Sequence, residues 1–313
     1  MNSNFNTDIL STTLDAYTES TMRDNIFDSN ALFYTLKKEG AYVPQNGGKR
    51  ILEPIMFEKN STAKSYDGYE LLDVTPQNGL TDAEFDWKQY SVQVSIDGKS
   101  ERINSGDSAA INLLDTKIKQ AEMSIIDQLN QGLFGDGTGN GGKDLTGVEI
   151  AVDSTGTYGN IARGTYSYWA SYEESTSAVL TVAYVRNLVT GISSGGKDTP
   201  RLHITTDTLY NKYEELLFDK QRFVNVMDAE AGFDNIKYKG GMITWDEGCV
   251  STNWYALNTN YLKFRYHPDA DFKNTPFIQP DNQDAMVSKI LWMGNLTGSN
   301  SRRQGKLTGK TAA

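Results

Sequence analysis

A single apolar stripe runs through residues 104–134 and predicts one long amphipathic helix. Its members are spaced three or four residues apart, which places them on one helical face: Ile111, Leu114, Ile118, Ala121, Ile125, Leu129 and Leu133. Asp107 or Ser108 can cap the start of the helix. Gly132 and Gly135 lie near its end, where glycine commonly terminates helices. About 26 residues at about 1.5 Å each make a rod of roughly 40 Å.

A long two-stranded excursion precedes this helix. Residues 50–57 are apolar and are interrupted by Pro54, which cannot donate to a sheet ladder and so favours an edge strand. Residues 89–96 alternate strictly, which indicates a half-buried strand; the apolar face consists of Tyr90, Val92, Val94 and Ile96. About thirty polar residues separate the two strands, and so long a loop is unusual inside a compact domain. We therefore predict a long hairpin that projects from the body.

The remaining segments predict a mixed α+β chain with intertwined domains. We expect a short strand through Val148, Ile150 and Val152, a strand at 201–205, several strands within 233–266 and a last strand at 286–293. We expect further helices at 180–193 and 207–218. Residues 7–28 are weakly helical, and a segment with so few apolar groups needs a partner to become ordered. We therefore predict that residues 7–28 form an arm that becomes ordered by docking on another molecule.

Charge excludes one class of function. The net charge is −10 and the pI is about 4.8, whereas a stand-alone DNA-binding protein needs a basic face. Residues 1–30 carry five acidic groups and one arginine, and residues 294–313 carry four basic groups and no acid. The two ends either meet between copies of the chain or are solvated tails; both interpretations fit the pattern.

Cys249 is the only cysteine, so the chain has no internal disulfide. That agrees with synthesis in a reducing cytoplasm. Residues 1–30 show no secretory signal pattern, and no run reaches the roughly 18 apolar residues that a membrane span needs.

Two segments match the spacing of a phosphate-binding loop. They are GTGNGGK at 137–143 and GISSGGK at 191–197. A phosphate loop follows a strand and has a Ser or Thr after its lysine. Here both segments follow predicted helices, and aspartate follows each lysine. We interpret them as loops that end helices.

No pattern in the chain predicts a catalytic, cofactor or metal site. His203 and His267 have no spaced partner for zinc, and no Gly-x-Ser-x-Gly elbow occurs. The adjacent carboxylates Glu173–Glu174 and Glu214–Glu215 point in different directions on a regular element. An aromatic cluster of Tyr166, Tyr168, Trp169 and Tyr172 either stacks on a sugar or base or is buried against a neighbouring domain or subunit, and we favour burial.

Two stretches resemble a known family. The first contains FDNI from Phe233, YKGG from Tyr238, WYALN from Trp254 and YLKF from Tyr261. The second contains LWMGNL at 291–296 and NSRRQG at 300–305. Their order, after a hairpin and a long helix, resembles the major capsid proteins of tailed bacteriophages, whose fold is shared with encapsulins and with herpesvirus capsid floor domains. None of these motifs is catalytic.

The resemblance implies an α+β capsid fold with five segments. Residues 1–46 would form the N-terminal arm, and 47–100 the extended β-hairpin loop that lies over a neighbouring subunit. Residues 101–146 would form a peripheral domain with the long spine helix, 147–280 the axial domain, and 281–313 the return to the peripheral domain and the C-terminal tail.

It also implies a function and partners. The chain would form the pentamers and hexamers of an icosahedral head, enclosing double-stranded DNA without reading its sequence. It would be a structural protein and not an enzyme, and it would be found in the virion after assembly in the bacterial cytoplasm, with no membrane or cofactor. A separate scaffolding protein, a portal and possible decoration proteins would be its other partners. The separate scaffold is expected because the chain begins almost at the arm.

Some relatives join subunits through lysine–asparagine bonds. The matching residue types here are Lys59 and Lys64 in the extended loop and Asn295 and Asn300 near the end. Such residues are common on protein surfaces, so we expect no crosslinks. Two other functions stay open: an encapsulin-like cellular compartment, and a secreted or tail-associated carbohydrate-binding protein that uses the tyrosine-rich segment around Tyr166, Tyr168, Trp169 and Tyr172.

Overall fold

The computed structural model describes residues 30–103, 107–193, 198–218 and 236–313. The arm predicted at 7–28 and the acidic N-terminus lie outside these ranges. The first described element is helix α1, Ala31–Lys38. The Asn30 side chain caps it by accepting hydrogen bonds from the backbone N–H groups of Leu32 and Phe33, as expected for asparagine at this position.

A five-stranded sheet forms one half of the molecule. It contains β1 (Tyr42–Pro44), β4 (Lys88–Asp97), β13 (Leu262–Tyr266), β14 (Lys273–Asn274) and β15 (Ala285–Gly298). The long strand β15 pairs antiparallel with β4 through its first ten residues and with β13 through its last five. The sequence predicted only 286–293 of β15. It is also not the last strand, because β16 and β17 follow it.

Strand β4 confirms the predicted alternation. Val94 and Ile96 are buried and Tyr90 and Val92 are half-buried, whereas the residues between them are exposed. The short helix α2, Gly98–Ile103, follows β4 directly. One face of the sheet is therefore covered and the other carries polar side chains.

The covering layer is helix α3, Asp107–Phe134, which packs on β4. The predicted stripe is buried at every position whose side chain is described: Ile118, Ala121, Ile125, Leu129 and Leu133. Ile111, Leu114 and the two candidate caps lie outside the described side chains. The long amphipathic helix is thus confirmed.

A six-stranded sheet forms the other half. Its order is β10 (Ile236–Tyr238), β11 (Gly241–Trp245), β9 (Leu202–Thr205), β12 (Trp254–Leu257), β16 (Gly305–Leu307) and β7 (Tyr172–Glu174). Helices α5, Val182–Ile192, and α6, Asp207–Phe218, pack on one face around Trp254. Tyr255 and Leu257 face the other way, into the cluster that contains the five-stranded sheet.

Strand membership crosses the boundary expected at residue 280. Strand β13 lies in the segment 147–280, yet it pairs with β1 and β15 in the five-stranded sheet. Strand β16 lies in the segment 281–313, yet it pairs with β12 and β7 in the six-stranded sheet. The two sheets are therefore intertwined, because each draws strands from both parts of the chain.

The strand expected through Val148, Ile150 and Val152 is wrong. Residues Val148–Ala151 form a single helical turn, α4. The cause is the tight approach of Gly147 to the end of α3: a Cβ there would lie 2.4 Å from the carbonyl oxygen of Leu133. The chain has to turn at once, and one helical turn buries Val148 and Ala151.

Three two-stranded pairs complete the fold. Strands β2 (Ile51–Met56) and β3 (Leu80–Phe85) form a hairpin. Strands β5 (Thr157–Tyr158) and β6 (Ile161–Ala162) form a tight antiparallel pair. Strands β8 (Ala178–Val179) and β17 (Lys310–Thr311) run parallel. Among the described residues, short 3₁₀ turns lie at Ser167–Trp169, Pro268–Ala270 and Ser301–Arg303.

Candidate assembly surface

The projecting hairpin is built from β2 and β3. Ile51 pairs with Phe85 at the base and Met56 pairs with Leu80 at the outer end. The prediction that residues 89–96 form the second strand of this hairpin is wrong, because those residues pair with β15 in the five-stranded sheet. Strand β3 was missed because its LTDAEF sequence buries only Ala83 and Phe85.

The base of the hairpin is part of the core. Ile51, Ala83 and Phe85 are buried, and the ring of Phe85 meets that of Tyr158 edge-on at 4.9 Å. Gly159 permits this approach, since a Cβ there would lie 2.8 Å from the Cβ of Ala83. The hairpin is therefore held rigidly where it leaves the body.

A partly buried ion pair fixes the same base. Arg265 on β13 donates through Nε and Nη2 to Oε1 of Glu53 on β2, both at 2.8 Å. The hydroxyl of Thr297 on β15 donates to the same oxygen at 3.0 Å. Because Glu53 is buried, these charge-assisted contacts compensate the loss of water around its carboxylate. They join the hairpin to two strands of the five-stranded sheet.

Beyond Met56 and Leu80 the chain projects as a loop without regular strands or helices. Its apolar side chains point into solvent: Tyr69, Leu71 and Val74 are 106%, 93% and 90% exposed. Further exposed apolar groups lie on the loop and on the outer face of the hairpin: Leu52, Met56, Tyr66, Leu72 and Leu80. So many exposed large apolar groups in one segment are typical of a contact site with another molecule.

Local hydrogen bonds give this loop its shape. The Asp73 carboxylate accepts from the N–H and the hydroxyl of Thr75, at 2.9 and 2.6 Å, and these bonds lower the pKa of Asp73. Asn60 binds Thr62 in the same way, and the hydroxyl of Ser61 donates to Gln77 at 2.9 Å. Such side-chain turns order the backbone without burying apolar area.

The glycine-rich segment at 137–143 does not form a phosphate cradle. It follows helix α3, as expected, and Asn140 and Gly141 take left-handed φ angles of 50° and 67°. The Lys88 ammonium donates to the carbonyl of Gly142. The carboxylate of Asp144 packs against Gly139. The second segment follows helix α5, and its residues 194–197 lie outside the described residues.

Both histidines have partners within the structure. His203 is fully buried on β9, where its Nδ1 accepts from the indole N–H of Trp254 at 3.3 Å. Burial lowers the pKa of His203 to about 4. His267 caps the 3₁₀ turn at 268–270 by accepting from the N–H of Asp269 at 3.1 Å.

The aromatic cluster does not form one exposed platform. Trp169 is 1% exposed and donates its indole N–H to the carbonyl of Tyr158 at 2.9 Å. Tyr168 stacks on Phe57 of the hairpin loop at 5.0 Å. Tyr166 remains half exposed. The carbohydrate-binding alternative needs this segment as one accessible platform, whereas its tryptophan is not accessible at the surface.

A buried lysine organises the acidic residues near the C-terminus. The Nζ of Lys306, whose side chain is 4% exposed, lies 3.2 Å from Glu149 and 3.7 Å from both Asp153 and Glu173. Tyr255 adds a hydrogen bond to the Glu149 carboxylate. Sequence patterns gave no signal for this cluster, because its members are far apart in the chain. Glu173 thus has a structural role here.

The basic C-terminus is not a solvated tail. Besides Lys306, Lys310 is buried with its ammonium 4.0 Å from the ring centre of Tyr184. Arg303 donates to the carbonyl of Ile192 at 3.0 Å and lies 3.6 Å from Asp198. These three basic side chains contact groups of the same chain.

The candidate crosslinking residues are divided between surface and core. Lys59 and Lys64 are exposed on the hairpin loop. Asn295 is fully buried, and its amide donates to the carbonyl of Asp86 at 2.9 Å and to the hydroxyl of Thr146 at 3.0 Å. Asn295 therefore joins three segments and is not presented to a neighbouring chain.

In the described part of the chain, every helix is too short or too polar to span a membrane. Among the same residues, no group of three or more His, Cys, Asp or Glu side chains could hold a metal ion.

Comparison with solved structures shows the fold. No protein-family model matches the chain, and no curated protein matches it by sequence. The capsid of cyanophage A-1(L) is similar with a TM-score of 0.68 and 16% identity, over 87% of this chain and 90% of that one. The capsid of a native GTA particle is similar with a TM-score of 0.60 and 12% identity, over 91% of both chains.

An encapsulin is also similar. The holo-SrpI encapsulin of Synechococcus elongatus matches with a TM-score of 0.55 and 10% identity, over 87% of this chain and 86% of that one. These likenesses agree with the architecture of two sheets, a long helix and a projecting hairpin. The chain has the α+β capsid fold that phage capsid proteins share with encapsulins.

Proposed function

We propose that this chain is the major capsid protein of a tailed bacteriophage. Its copies would assemble into pentamers and hexamers that form the icosahedral head around double-stranded DNA. The observation that carries the proposal is the rigidly anchored hairpin, whose outer loop exposes Tyr69, Leu71 and Val74 almost completely. The capsid fold supports the same conclusion.

The hairpin needs a partner for a physical reason. Exposed apolar surface is unfavourable in water by about 25 cal/mol per Å², and a large side chain left fully exposed gives up that stabilisation. Glu53 and Arg265 anchor the base of the hairpin to the five-stranded sheet, and the apolar side chains of the outer loop lie exposed beyond it. Another copy of the same chain is the partner always present at matching concentration, and closed symmetric assemblies satisfy such surfaces in every subunit.

The charge of the chain fits a container for DNA. A net charge of −10 limits affinity for phosphate, which depends on lysine and arginine. The buried positions of Lys306 and Lys310 remove two further cations from the surface. The shell would thus enclose DNA without binding its sequence, in a virion assembled in the bacterial cytoplasm. A separate scaffolding protein, a portal and decoration proteins would be its other partners.

This proposal assigns each of the two sheets to one domain of the capsid protein. The five-stranded sheet with helix α3 would form the peripheral domain, and the six-stranded sheet with α5 and α6 would form the axial domain around the capsomer centre. Because β13 and β16 exchange between the sheets, the domain boundary would not fall at a single point near residue 280. The chain would act as a structural protein and not as an enzyme.

An encapsulin-like compartment is the second candidate. It is favoured by the likeness to the Synechococcus elongatus encapsulin, at a TM-score of 0.55. The higher score of 0.68 for the cyanophage capsid leads us to prefer the phage head. The nucleic-acid content of purified particles, and whether they hold enzyme cargo, separates the two.

Electron microscopy of the expressed protein tests the proposal. We expect closed shells, tubes or ring-like capsomers from the protein alone or with the product of the neighbouring upstream gene. The variant Leu71→Asp/Val74→Asp should abolish them, because it places charge on the exposed apolar loop. The matched variant Leu71→Met/Val74→Ile keeps the apolar area and should assemble. A uniform monomer of 34.8 kDa from the unchanged chain under both conditions would overturn the proposal.

A further inference from the structure

The tetrapeptide Asn-Gly-Gly-Lys occurs twice in this chain. It occupies residues 46–49, between β1 and β2, and residues 140–143, in the glycine-rich loop after α3. Both asparagines, Asn46 and Asn140, are exposed to solvent. Local sequence and exposure are therefore matched, so any difference in the chemistry of the two asparagines has to come from the folded backbone around them.

An asparagine that precedes a glycine can react with its own backbone. The glycine nitrogen attacks the side-chain amide carbon Cγ, a new N–Cγ bond forms, and the bond from Cγ to the amide nitrogen breaks. Ammonia leaves with the proton of the glycine nitrogen. Water then opens the succinimide ring at either carbonyl and yields aspartate or isoaspartate. Glycine favours the attack because its backbone is mobile and no Cβ shields its nitrogen.

The fold holds Asn140 in a conformation that prevents this attack. Its φ is 50° and its ψ is 40°, and such a left-handed conformation places Cβ beside the residue's own carbonyl oxygen. The nitrogen of Gly141 lies on the other side of that carbonyl carbon, out of reach of Cγ. Two backbone hydrogen bonds maintain the turn: the N–H of Gly142 donates to Thr138 at 3.1 Å, and the N–H of Lys143 donates to Gly139 at 3.2 Å.

Asn46 is not held in this way. Its φ lies outside the left-handed region. Among the described residues, no group bonds to its side-chain amide, and the N–H of Gly47 donates to none of them. Hydrogen bonds occur on either side, from the N–H of Gln45 to β13 at 2.9 Å and from the indole of Trp87 to the carbonyl of Gly48 at 2.9 Å. The peptide group between residues 46 and 47 is therefore unrestrained between two anchors.

We propose that Asn46 is a site of spontaneous deamidation and that the fold protects Asn140 from the same reaction. Water is the only co-reactant. Both products add one negative charge at position 46. Isoaspartate also adds one carbon atom to the main chain, because the backbone then runs through the former side chain.

The modified residue lies where the hairpin leaves the five-stranded sheet. Residues 45–50 connect β1 with β2, and Arg50 at the end of this connection pairs with Glu84 and Asp86 at the base of the hairpin. A longer main chain at position 46 would change how the hairpin is placed relative to the sheet. Aged chains would then assemble less well, a consequence that rests on the proposed shell function, whereas the modification itself does not.

Mass spectrometry of the unassembled chain tests the modification. The native chain is kept at pH 8 for several days and digested with trypsin, and the deamidated fractions of peptides 39–49 and 120–143 are compared within each sample. A sample digested at time zero corrects for conversion during digestion. We expect conversion at Asn140 to be slower by about tenfold or more, because the reaction there requires two backbone hydrogen bonds to open.

The same measurement in urea supplies the matched control. Unfolding removes the turn at 138–143, and the two tetrapeptides are identical, so Asn46 and Asn140 should then convert at similar rates. Faster conversion at Asn46 in the native chain, together with similar rates in urea, supports the proposal. Equal native rates, a faster native rate at Asn140 or no conversion at Asn46 overturns it. A difference that persists in urea also overturns it, because the fold would not be the cause.

The variant Asn46→Gln tests the consequence for assembly. It keeps an amide side chain, and glutamine cannot form the five-membered ring, so the variant should assemble after ageing as it does when fresh. The unchanged chain should lose assembly as its peptide 39–49 converts. Equal assembly of the two aged chains would overturn the link to assembly.

Failure of the inference is distinct from failure of the proposed function. The mass measurement needs no shells. If the unchanged chain forms shells while Asn46 stays unmodified, the inference fails and the shell function stands. If Asn46 converts and the fresh chain forms no assemblies even with its upstream neighbour, the shell function fails and the modification site stands.

Discussion

The indole N–H of Trp254 donates a hydrogen bond to Nδ1 of His203 at 3.3 Å, inside the six-stranded sheet. This bond requires an imidazole that is unprotonated at Nδ1. Full burial of the ring further disfavours the charged form and lowers its pKa to about 4, from about 6.5 in an unfolded chain. Folding therefore excludes a proton that the unfolded chain would bind.

Stability should consequently fall as the pH drops from about 6.5 to about 4. In this window the unfolded state binds a proton at His203 and the folded state does not, so the loss begins near the unfolded pKa and is complete near the folded one. The full effect is on the order of 3 kcal/mol. Urea unfolding of the unassembled chain across this range measures it. His203→Gln should flatten the slope, and an unchanged slope would assign the pH dependence to other groups.

The Glu53–Arg265 ion pair should contribute to the free energy of unfolding, because it anchors the hairpin to the five-stranded sheet. Glu53→Gln keeps the shape but removes the charge, so we expect a loss of about 1–2 kcal/mol in the free energy of unfolding. Part of the Arg265 side chain is exposed, and water limits the cost there. Denaturant titration measures the change. Glu58→Gln, an exposed position on the hairpin loop, is the control and should change stability by less than about 0.5 kcal/mol.

Replacing Lys306 should be more damaging. Lys306→Met leaves Glu149, Asp153 and Glu173 close together without their shared cation, so we expect a loss of about 3 kcal/mol or more. Lys289→Met removes an exposed lysine of the neighbouring sheet and serves as the control. Equal melting temperatures for the two variants would show that the buried cluster contributes nothing.

Cys249 should be inert in the folded chain. Its thiol is buried, and burial together with the charges of Asp246 and Glu149 raises its pKa. The thiolate is the reactive form, so iodoacetamide at pH 8 should label the native protein very slowly and the urea-unfolded protein readily. Rapid labelling of the native chain would contradict the burial of this residue.

Asn295 should not take part in a covalent crosslink. Its amide is buried, with donors and acceptors already bound to Asp86, Thr146 and Leu296. Assembled particles should therefore run as one band near 34.8 kDa on a denaturing gel. Lys59→Arg and Lys64→Arg should leave that band unchanged. A ladder of multimers that disappears in either variant would show that the loop lysines react with a different residue.

Patterns within single segments were readable from the sequence. The stripe of α3, the alternation of β4 and the helices α5 and α6 lie where their periodicities placed them. Each depends on the direction of neighbouring side chains along one element, which a local pattern records directly. The projection of the chain between residues 50 and 89 was also visible, because a long polar segment has too few apolar groups to enter a core.

Pairings between distant segments were not readable. Strand β3 has only Ala83 and Phe85 buried, and this alternation is too weak to predict a strand from the sequence. It is defined by its pairing with β2. The short run at 148–152 alternates like a strand, yet the tight contact at Gly147 makes it a helical turn. In both places the surroundings overrode the local signal.

The sequence by itself determined the three long helices α3, α5 and α6, the strand β4 and the existence of a long projecting segment, because these follow from the order of apolar and polar residues along the chain. Only the tertiary structure decided that β13 and β16 exchange between the sheets and that Asn295 and Lys306 are buried. The physical reason is that burial and strand pairing depend on which distant segments contact each other. Local periodicity reports only the direction of side chains within one element.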